Sequence, residues 1–111
     1  MRQFNASHLE VKKTFSEDFE THPFECGWAG EAIFFVMVEG VEGANARLDC
    51  RVQLSHDGVT WADEGSALDS LREAGLRFIR VRHFGNWLRL ACRIRGEEPA
   101  FKLLLQIALK E

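Results

Sequence analysis

Residues 76–95 alternate between apolar side chains and polar or charged ones, and this two-residue period is the strongest constraint that the sequence places on the fold. β-Strands produce such a period because successive side chains point to opposite faces of a sheet. The dipeptide Gly85-Asn86 divides the segment and predicts a β-hairpin that closes on a two-residue turn. The core face of this hairpin would consist of Ile79, Val81, Leu88, Leu90, Cys92 and Ile94.

The stretch from Leu76 to Gly96 also holds six arginines and no carboxylate. The arginines are Arg77, Arg80, Arg82, Arg89, Arg93 and Arg95. In the predicted hairpin Arg82 lies opposite Arg89, where like charges repel unless an anionic or aromatic group lies near them. Arginine and tryptophan are enriched at the energetic centres of protein interfaces. The candidate interface or binding face therefore comprises Arg80, Arg82, Phe84, Trp87, Arg89 and Arg93.

Three other segments have strand patterns. Residues 32–40 are apolar at most positions, which is typical of a central strand that is covered on both sides. Residues 47–56 alternate cleanly, so they predict a strand with one buried and one wet face. In residues 101–110 every second side chain is apolar. This last strand would turn Phe101, Leu103, Leu105, Ile107 and Leu109 inward.

Short turn signals connect these strands. Asp57-Gly58 predicts a second tight hairpin turn, because type I′ turns need positive φ at both central residues. This register places Trp61 in the core, opposite Leu54. Residues 66–75 fit a short helix with a capping serine and a terminating glycine. The predicted fold class is all-β, an antiparallel β-sandwich of jelly-roll type with one short helix.

The chain of 111 residues is predicted to form a single globular unit, with an acidic and aromatic arm at 1–30 and the sandwich at 31–111. Phe15 and Phe19 are four residues apart, which suits either a short helix or an extended arm on a sheet edge. One interpretation is that the arm folds over the arginines within one subunit. Its carboxylates would then be Glu17, Asp18, Glu20 and Glu25. The alternative is that the arginines contact a neighbouring subunit or another protein.

The charge balance restricts the partners. The net charge is −3, and residues 1–75 carry 14 carboxylates against 6 basic side chains. This acidity disfavours binding to nucleic acid, although arginines beside aromatic rings suit it. No apolar run has the roughly 18 residues that a membrane span needs, and no apolar signal segment opens the chain. We therefore expect a cytoplasmic protein without a membrane partner, or a component of a particle.

No residue set satisfies the geometry of a catalytic or metal site. Ser55, His56 and Asp57 are consecutive on a turn, where their side chains point apart and cannot form a relay. His22 and Cys26, with His8 upstream, lack the paired spacing of a closed metal site. The sequence therefore predicts no enzyme activity, no metal and no cofactor.

Two motifs carry a resemblance to known proteins. Residues 55–61 read S-x-D-G-x-T-W, and residues 80–90 read R-V-x-x-F-G-x-W-L-R-L. The first motif resembles a turn in β-sandwich proteins of phage tails and capsids, and it is close to the Asp-box of sialidase-type propellers with one residue fewer. The resemblance covers residues 47–105. It implies that Asp57 and Gly58 form a structural turn, that Trp61 fills the core, and that the module is structural or binding rather than enzymatic.

Two functions follow as hypotheses. The first is a structural protein that self-assembles through the arginine and aromatic face, either as a homo-oligomer or with another structural protein. The second is a ligand-binding module, most simply for carbohydrate, because aromatic rings and arginines suit sugar stacking and hydrogen bonding. Its platform would consist of Trp28, Trp87 and Arg89.

Overall fold

The described residues form seven β-strands, and the strand pairs among them are all antiparallel. The computed structural model describes residues 4–82 and 84–111. The strands are β1 (Phe4–Phe15), β2 (Phe19–Glu20), β3 (Phe24–Glu25), β4 (Glu31–Ser55), β5 (Ala62–Leu71), β6 (Gly75–Arg82) and β7 (Trp87–Lys110). The all-β antiparallel prediction is confirmed. Among the described residues none forms a helix, and so none forms one of the length and apolarity that crossing a membrane requires.

The two longest strands, β4 and β7, pair along most of their length. Their register runs from Glu31 opposite Lys110 to Ser55 opposite Trp87. The free edge of β4 pairs with β6 and then with β5, and the free edge of β7 pairs with β1, β2 and β3. The β4–β7 pair therefore forms the centre of the whole sheet.

This long sheet is folded over on itself. A straight strand of 24 residues would measure about 79 Å, whereas the longest dimension of the molecule is 47 Å. The N–H of Cys26 donates to the carbonyl of Asn86 at 2.7 Å, and the N–H of Gly30 donates to the carbonyl of Lys110 at 2.8 Å. Four residues of chain reach at most about 14 Å, so the two ends of β7 lie close together.

The fold produces two layers, which we call half A and half B. Half A consists of β1, β6, residues 31–41 of β4 and residues 101–110 of β7. Half B consists of β2, β3, β5, residues 46–55 of β4 and residues 87–95 of β7. Each half has an inner face toward the other half and an outer face away from it.

One hydrophobic core lies between the two inner faces. Half A contributes Ala32, Phe34, Val36, Val38, Ile79, Val81, Phe101, Leu103, Leu105, Ile107 and Leu109. Half B contributes Leu48, Cys50, Val52, Leu71, Leu88, Leu90, Cys92 and Ile94. The inward side chains predicted from the alternation of residues 76–95 and 101–110 are therefore confirmed. Cys50 and Cys92 are opposite each other in the β4–β7 register, with free thiols whose sulfurs lie 3.6 Å apart.

The corner between the halves depends on glycine. Gly43 has φ of 105°, and a Cβ built there would lie 2.7 Å from the carbonyl oxygen of Glu97 and 2.8 Å from Cα of Pro99. Gly96 has φ of 130°, and its Cβ would lie 2.8 Å from Cα of Ala46. Both strands thus bend where only a residue without a side chain fits.

The helix predicted at residues 66–75 is wrong, because this segment belongs to β5 and the start of β6. A short isolated helix is marginal in water, whereas the edge of β4 offers backbone partners to residues 67–71 and to Gly75. Leu68 lies opposite Cys50 and Leu71 opposite Leu48 in that pairing. The two leucines of the predicted helical stripe therefore pack against the core from a strand.

The hairpin predicted at Gly85-Asn86 is also wrong. β6 pairs with residues 31–38 of β4, and the first part of β7 pairs with residues 47–55 of the same strand. Residues 84–86 therefore belong to the link between the two halves, and Asn86 accepts the hydrogen bond from Cys26 described above. β4 offers both segments backbone hydrogen-bond partners along its length, and this arrangement leaves their apolar side chains in the shared core.

The turn at Asp57-Gly58 is wider than the predicted two-residue turn. Leu54 pairs with Ala62, so residues 56–61 connect the strands, and Trp61 is half-buried rather than in the core. The Asp57 carboxylate accepts the N–H groups of Thr60 and Val59, both at 2.8 Å, and the hydroxyl of Ser55 at 2.9 Å. These hydrogen bonds, led by the one from Thr60, hold the pKa of Asp57 well below its usual range.

The close approach at the corner predicts that Gly43→Ala destabilises the protein. A residue other than glycine at this φ costs about 1–3 kcal/mol, and contact of the new methyl with backbone atoms adds to that cost. Gly65→Ala is the matched control, because Gly65 has φ of 116° but nothing within 4 Å of the added Cβ. Urea unfolding should show the larger loss for Gly43→Ala, and equal losses would contradict this account of the corner.

The hydrogen bonds of Asp57 predict a loss of stability in acid. Since the folded pKa lies below the unfolded value, the carboxylate stabilises the fold above about pH 4, and this contribution is lost as the pH falls through the unfolded and then the folded pKa. Asp57→Asn should therefore lower the urea midpoint at about pH 6 and less so at about pH 2.5. Asp69→Asn, an exposed aspartate outside this turn, is the control. A constant difference between wild type and Asp57→Asn at both pH values would argue against the linkage.

Candidate functional site

The six residues predicted to share one face do not lie on one face. Arg80 and Arg82 are on the outer face of half A, whereas Arg89 and Arg93 are on the outer face of half B. Phe84 packs against the core from the link between the halves, and the ring of Trp87 lies against Gly58. The predicted opposition of Arg82 and Arg89 is wrong, because the two outer faces point in opposite directions.

The acidic arm runs along the edge of β7 and is extended, so the helical alternative for Phe15 and Phe19 is wrong. The two rings instead stack with centroids 3.7 Å apart. The carboxylate of Asp18 accepts a hydrogen bond from the N–H of Ile94 at 2.8 Å, so it binds the backbone of β7 rather than an arginine. Among the described arm residues, Glu20 has a carboxylate near one of the six arginines, 3.9 Å from Arg89.

The outer face of half B collects arginines from two adjacent strands. We call this set the arginine grid, and its members are Arg47, Arg51, Arg89, Arg93 and Arg95. In the β4–β7 register Arg47 is opposite Arg95, Asp49 is opposite Arg93, and Gln53 is opposite Arg89. The alternation of residues 47–56 already predicted the outward position of the β4 members. Their association with the β7 arginines depends on strand pairing, which the sequence pattern did not predict.

A hydrogen-bond network fixes the side chains at one end of this grid. Nε of Arg89 donates to Gln53 at 2.8 Å, and Nε2 of Gln53 donates to Asp63 at 2.9 Å. Arg51 also donates to Asp63, at 3.1 Å, and the Arg89 guanidinium lies 4.2 Å from the Trp61 ring centroid. The hydrogen bond from Gln53, followed by the charge of Arg51, lowers the pKa of Asp63. The network therefore holds planar polar groups in fixed orientations.

Two shallow depressions flank the pair formed by Arg51 and Arg93. One, of about 210 Å³, is lined by both arginines together with Glu20, Gln53 and Ala91 among others. The other, of about 230 Å³, is lined by the same arginines with Asp49, Cys50, Ala67 and Asp69. Each depression presents both guanidinium donors and carboxylate acceptors, so a small polar ligand would find both kinds of partner there.

The outer face of half A has the opposite character. We call it the apolar face, and it is formed by Ile33, Phe35, Met37, Leu76, Phe78 and Leu104. Leu76 and Phe78 keep 53% and 50% of their surface exposed. A hollow of about 270 Å³ lies on this face, lined by Phe35, Met37, Leu76, Leu104 and Gln106. The prediction that residues 32–40 form a central strand is confirmed, but the described part of the chain leaves the outward side chains Ile33, Phe35 and Met37 only half-buried.

Charged residues lie at the two ends of the apolar face. At one end the guanidinium of Arg80 lies 5.2 Å from the centroid of Phe78, and Arg82 lies 3.3 Å from the carboxylate of Glu31. At the other end Glu39 and Glu42 are exposed near the corner, and Lys102, opposite Gly40, is the basic residue beside them. Arg80 and Phe78 therefore bring one arginine and one aromatic ring together on this outer face.

The remaining candidate residues do not converge on a reactive site. The Ser55 hydroxyl donates to Asp57 and not to His56, whose Nε2 lies 3.7 Å from the Asp57 carboxylate. Among the described residues no three metal-binding side chains cluster, and the side chain of His8 lies outside them. Cys26 is buried, and this burial raises the pKa of its thiol to about 12.

The predicted sugar platform is dispersed as well. Trp28 packs against the core from the turn at residues 26–30, and Arg89 covers the Trp61 ring on the outer face of half B. The side chains that do converge on that face belong to the arginine grid and its acidic neighbours.

No family model and no curated protein matches this chain. Its fold is similar to that of several solved structures. One is the SPBc2 prophage-derived protein YomS, with a TM-score of 0.66 and 7% identity over 100% of this chain and 96% of that one. Another, from the infectious bursal disease virus Gx strain, has a TM-score of 0.56 and 9% identity over 100% of this chain and 32% of that one.

A third is the CBM36-1 domain of a multidomain xylanase from the hindgut metagenome of Trinervitermes trinervoides. It has a TM-score of 0.52 and 7% identity over 96% of each chain. At these identities the similarity concerns the fold alone. The chain thus has the fold of an all-β module that also occurs in a prophage-derived protein, a virus and a carbohydrate-binding domain.

Proposed function

We propose that this protein is a non-enzymatic structural module that self-associates through its apolar face. One observation carries the proposal. Residues 32–40 have the composition of a strand covered on both sides, yet among the described residues of one chain only the inner side is fully buried. An apolar sheet face of this kind, rimmed by charges, is typical of a surface that contacts another protein. Arg80 and Arg82 belong to that rim, so the proposed interface includes two of the residues predicted from the sequence.

Burial of the exposed side chains on this face would contribute favourably to association. A phenylalanine side chain can bury about 150–250 Å², so the half-exposed Phe78 leaves about 100 Å² to cover. At about 25 cal/mol per Å² this contributes about 2.5 kcal/mol, and a two-fold interface would gain it twice. Leu76 and the hollow beside it add to this sum.

The similarity to YomS and to the virus structure supports this proposal at the level of fold. The first is described as a prophage-derived protein and the second as part of a virus. A small sheet module without converging reactive groups is compatible with an assembly role, and the fold alone does not assign one.

The test is the solution mass of the wild type and of Phe78→Asp, measured by size-exclusion chromatography with light scattering. The wild type should have at least twice the monomer mass of 12.7 kDa. Phe78→Asp should raise Kd by at least about tenfold, because a carboxylate replaces apolar surface in the contact. The wild-type assembly should persist in high salt, since apolar contacts are not screened as exposed ion pairs are.

Val59→Asp is the matched control for that variant. Val59 is 79% exposed at the tip of the loop after β4, away from the apolar face. The control introduces the same charge in place of an exposed apolar side chain and should keep the wild-type mass. A monomeric wild type, or an assembly that Phe78→Asp leaves intact, would refute the proposed interface.

A second candidate function is carbohydrate binding on the outer face of half B. The observation in its favour is the pair of depressions beside Arg51 and Arg93, with fixed donors and acceptors around them. The similarity to the CBM36-1 domain supports it at the level of fold. The residues differ from the platform predicted from the sequence, because Trp28 and Trp87 take no part and Arg89 serves through its contact with Trp61.

This candidate predicts that oligosaccharides perturb tryptophan fluorescence, since Trp61 lies beneath Arg89 beside the depressions. The double variant Arg51→Ala with Arg93→Ala should weaken such binding by at least about tenfold, because it removes charge-assisted hydrogen bonds. Arg80→Ala, on the other outer face, should leave the affinity unchanged. An array of neutral and acidic glycans that produces no response in the wild type would eliminate this function.

A further inference from the structure

We infer that two copies pack apolar face against apolar face, with their two-fold axis running across the strands rather than along them. The inference rests on the proposed function and specifies the geometry of its interface. It follows from the charges at the two ends of the apolar face. We call these the arginine end, formed by Arg80 and Arg82, and the acidic end, formed by Glu39 and Glu42.

The two ends are too far apart to neutralise each other within one chain. Glu31, which pairs with Arg82, and Glu39 are eight residues apart on one strand, or about 26 Å. That separation exceeds the roughly 8 Å over which charges act at physiological salt. Among the described residues neither Arg80 nor Glu39 has an oppositely charged group within ion-pair distance. Arg80 and Glu39 can therefore each form an ion pair with a charged group on another molecule.

A face-to-face pair with aligned strands has two symmetric arrangements, since its two-fold axis lies in the plane of contact. An axis along the strands places the arginine end of one copy over the arginine end of the other. An axis across the strands reverses the strand direction between the copies and places the arginine end over the acidic end. Like charges across an interface are costly, so the second arrangement is the favoured one.

Pairing through the open edge of β6 is the main competing contact. Edge pairing would extend the sheet and satisfy backbone groups, as exposed edges often do. It would leave Phe35 and Met37 uncovered, because they lie on the face of the sheet and not at its edge. The face contact covers these side chains and the hollow between them, so it explains the apolar character that edge pairing leaves unexplained.

The experiment is sedimentation equilibrium on four proteins: wild type, Arg80→Glu, Glu39→Arg and the double variant with both changes. With the axis across the strands, each single variant creates like charges at both symmetric contacts and should raise Kd by about tenfold. The double variant exchanges the two charges and should restore Kd to within about threefold of the wild type. An equimolar mixture of the single variants should form a heterodimer with near wild-type affinity.

Arg93→Glu is the control, because it makes the same change on the opposite outer face and should leave Kd unchanged. Far-ultraviolet circular dichroism of each variant verifies that it is folded. Single variants that dimerise as tightly as the wild type, while Phe78→Asp dissociates, would overturn the proposed axis and leave the interface in place. A wild type that stays monomeric, or a Phe78→Asp variant that dimerises normally, would overturn the interface and the axis together.

Discussion

The pairing of β4 with β7 determines the architecture of the whole sheet. Both strands exceed the size of the folded molecule, so their ladder must bend, and the glycines at the corner permit it. Once the β4–β7 pair has folded over on itself, every second residue of both strands faces the same core. The other residues form two outer faces that cannot meet. The edge strands then pair with β4 and β7, whose inner and outer faces are already determined.

That frame explains why one chain presents two different surfaces. In half B the outward positions of the central strands carry arginine, aspartate and glutamine, and they bind one another in a network. In half A the middle of the outer face carries Ile33, Phe35, Met37 and Leu104, and polar or charged residues such as Gln106, Lys102 and Lys110 lie beside or beyond them. The same doubled ladder therefore has one wet face and one apolar face, which suits a module that contacts a partner on one side and solvent on the other.

The sequence predicted which residues face inward more reliably than which strands are neighbours. The inward position of Leu88 and Leu90, or of Ile79 and Val81, follows from the two-residue period alone, which is a local property. The partner of a strand is a non-local property, and here the apolar strand β4 pairs with both segments of the predicted hairpin. The arginine face failed as a single site for this reason, since its members follow their strands to opposite sides.

The helical pattern of residues 66–75 failed for a related reason. Its leucines are three residues apart, and a strand with one irregularity in its register can bring the same side chains to the core. Tertiary pairing along β4 then outweighs a modest local preference. The all-β class was nevertheless predicted correctly, because it depends on the number of alternating segments and not on their order.

The disagreement between sequence and structure over residues 32–40 is the most informative one. Three strands independently place apolar side chains on the same outer face, with Phe35 on β4, Phe78 on β6 and Leu104 on β7. Half B shows that this fold tolerates charged residues at such positions, so the sheet itself does not require apolar ones. Exposed apolar surface also favours aggregation, which gives no advantage to a protein that works alone. A second surface that covers this face removes the disagreement, since β4 then has the environment that its composition predicts.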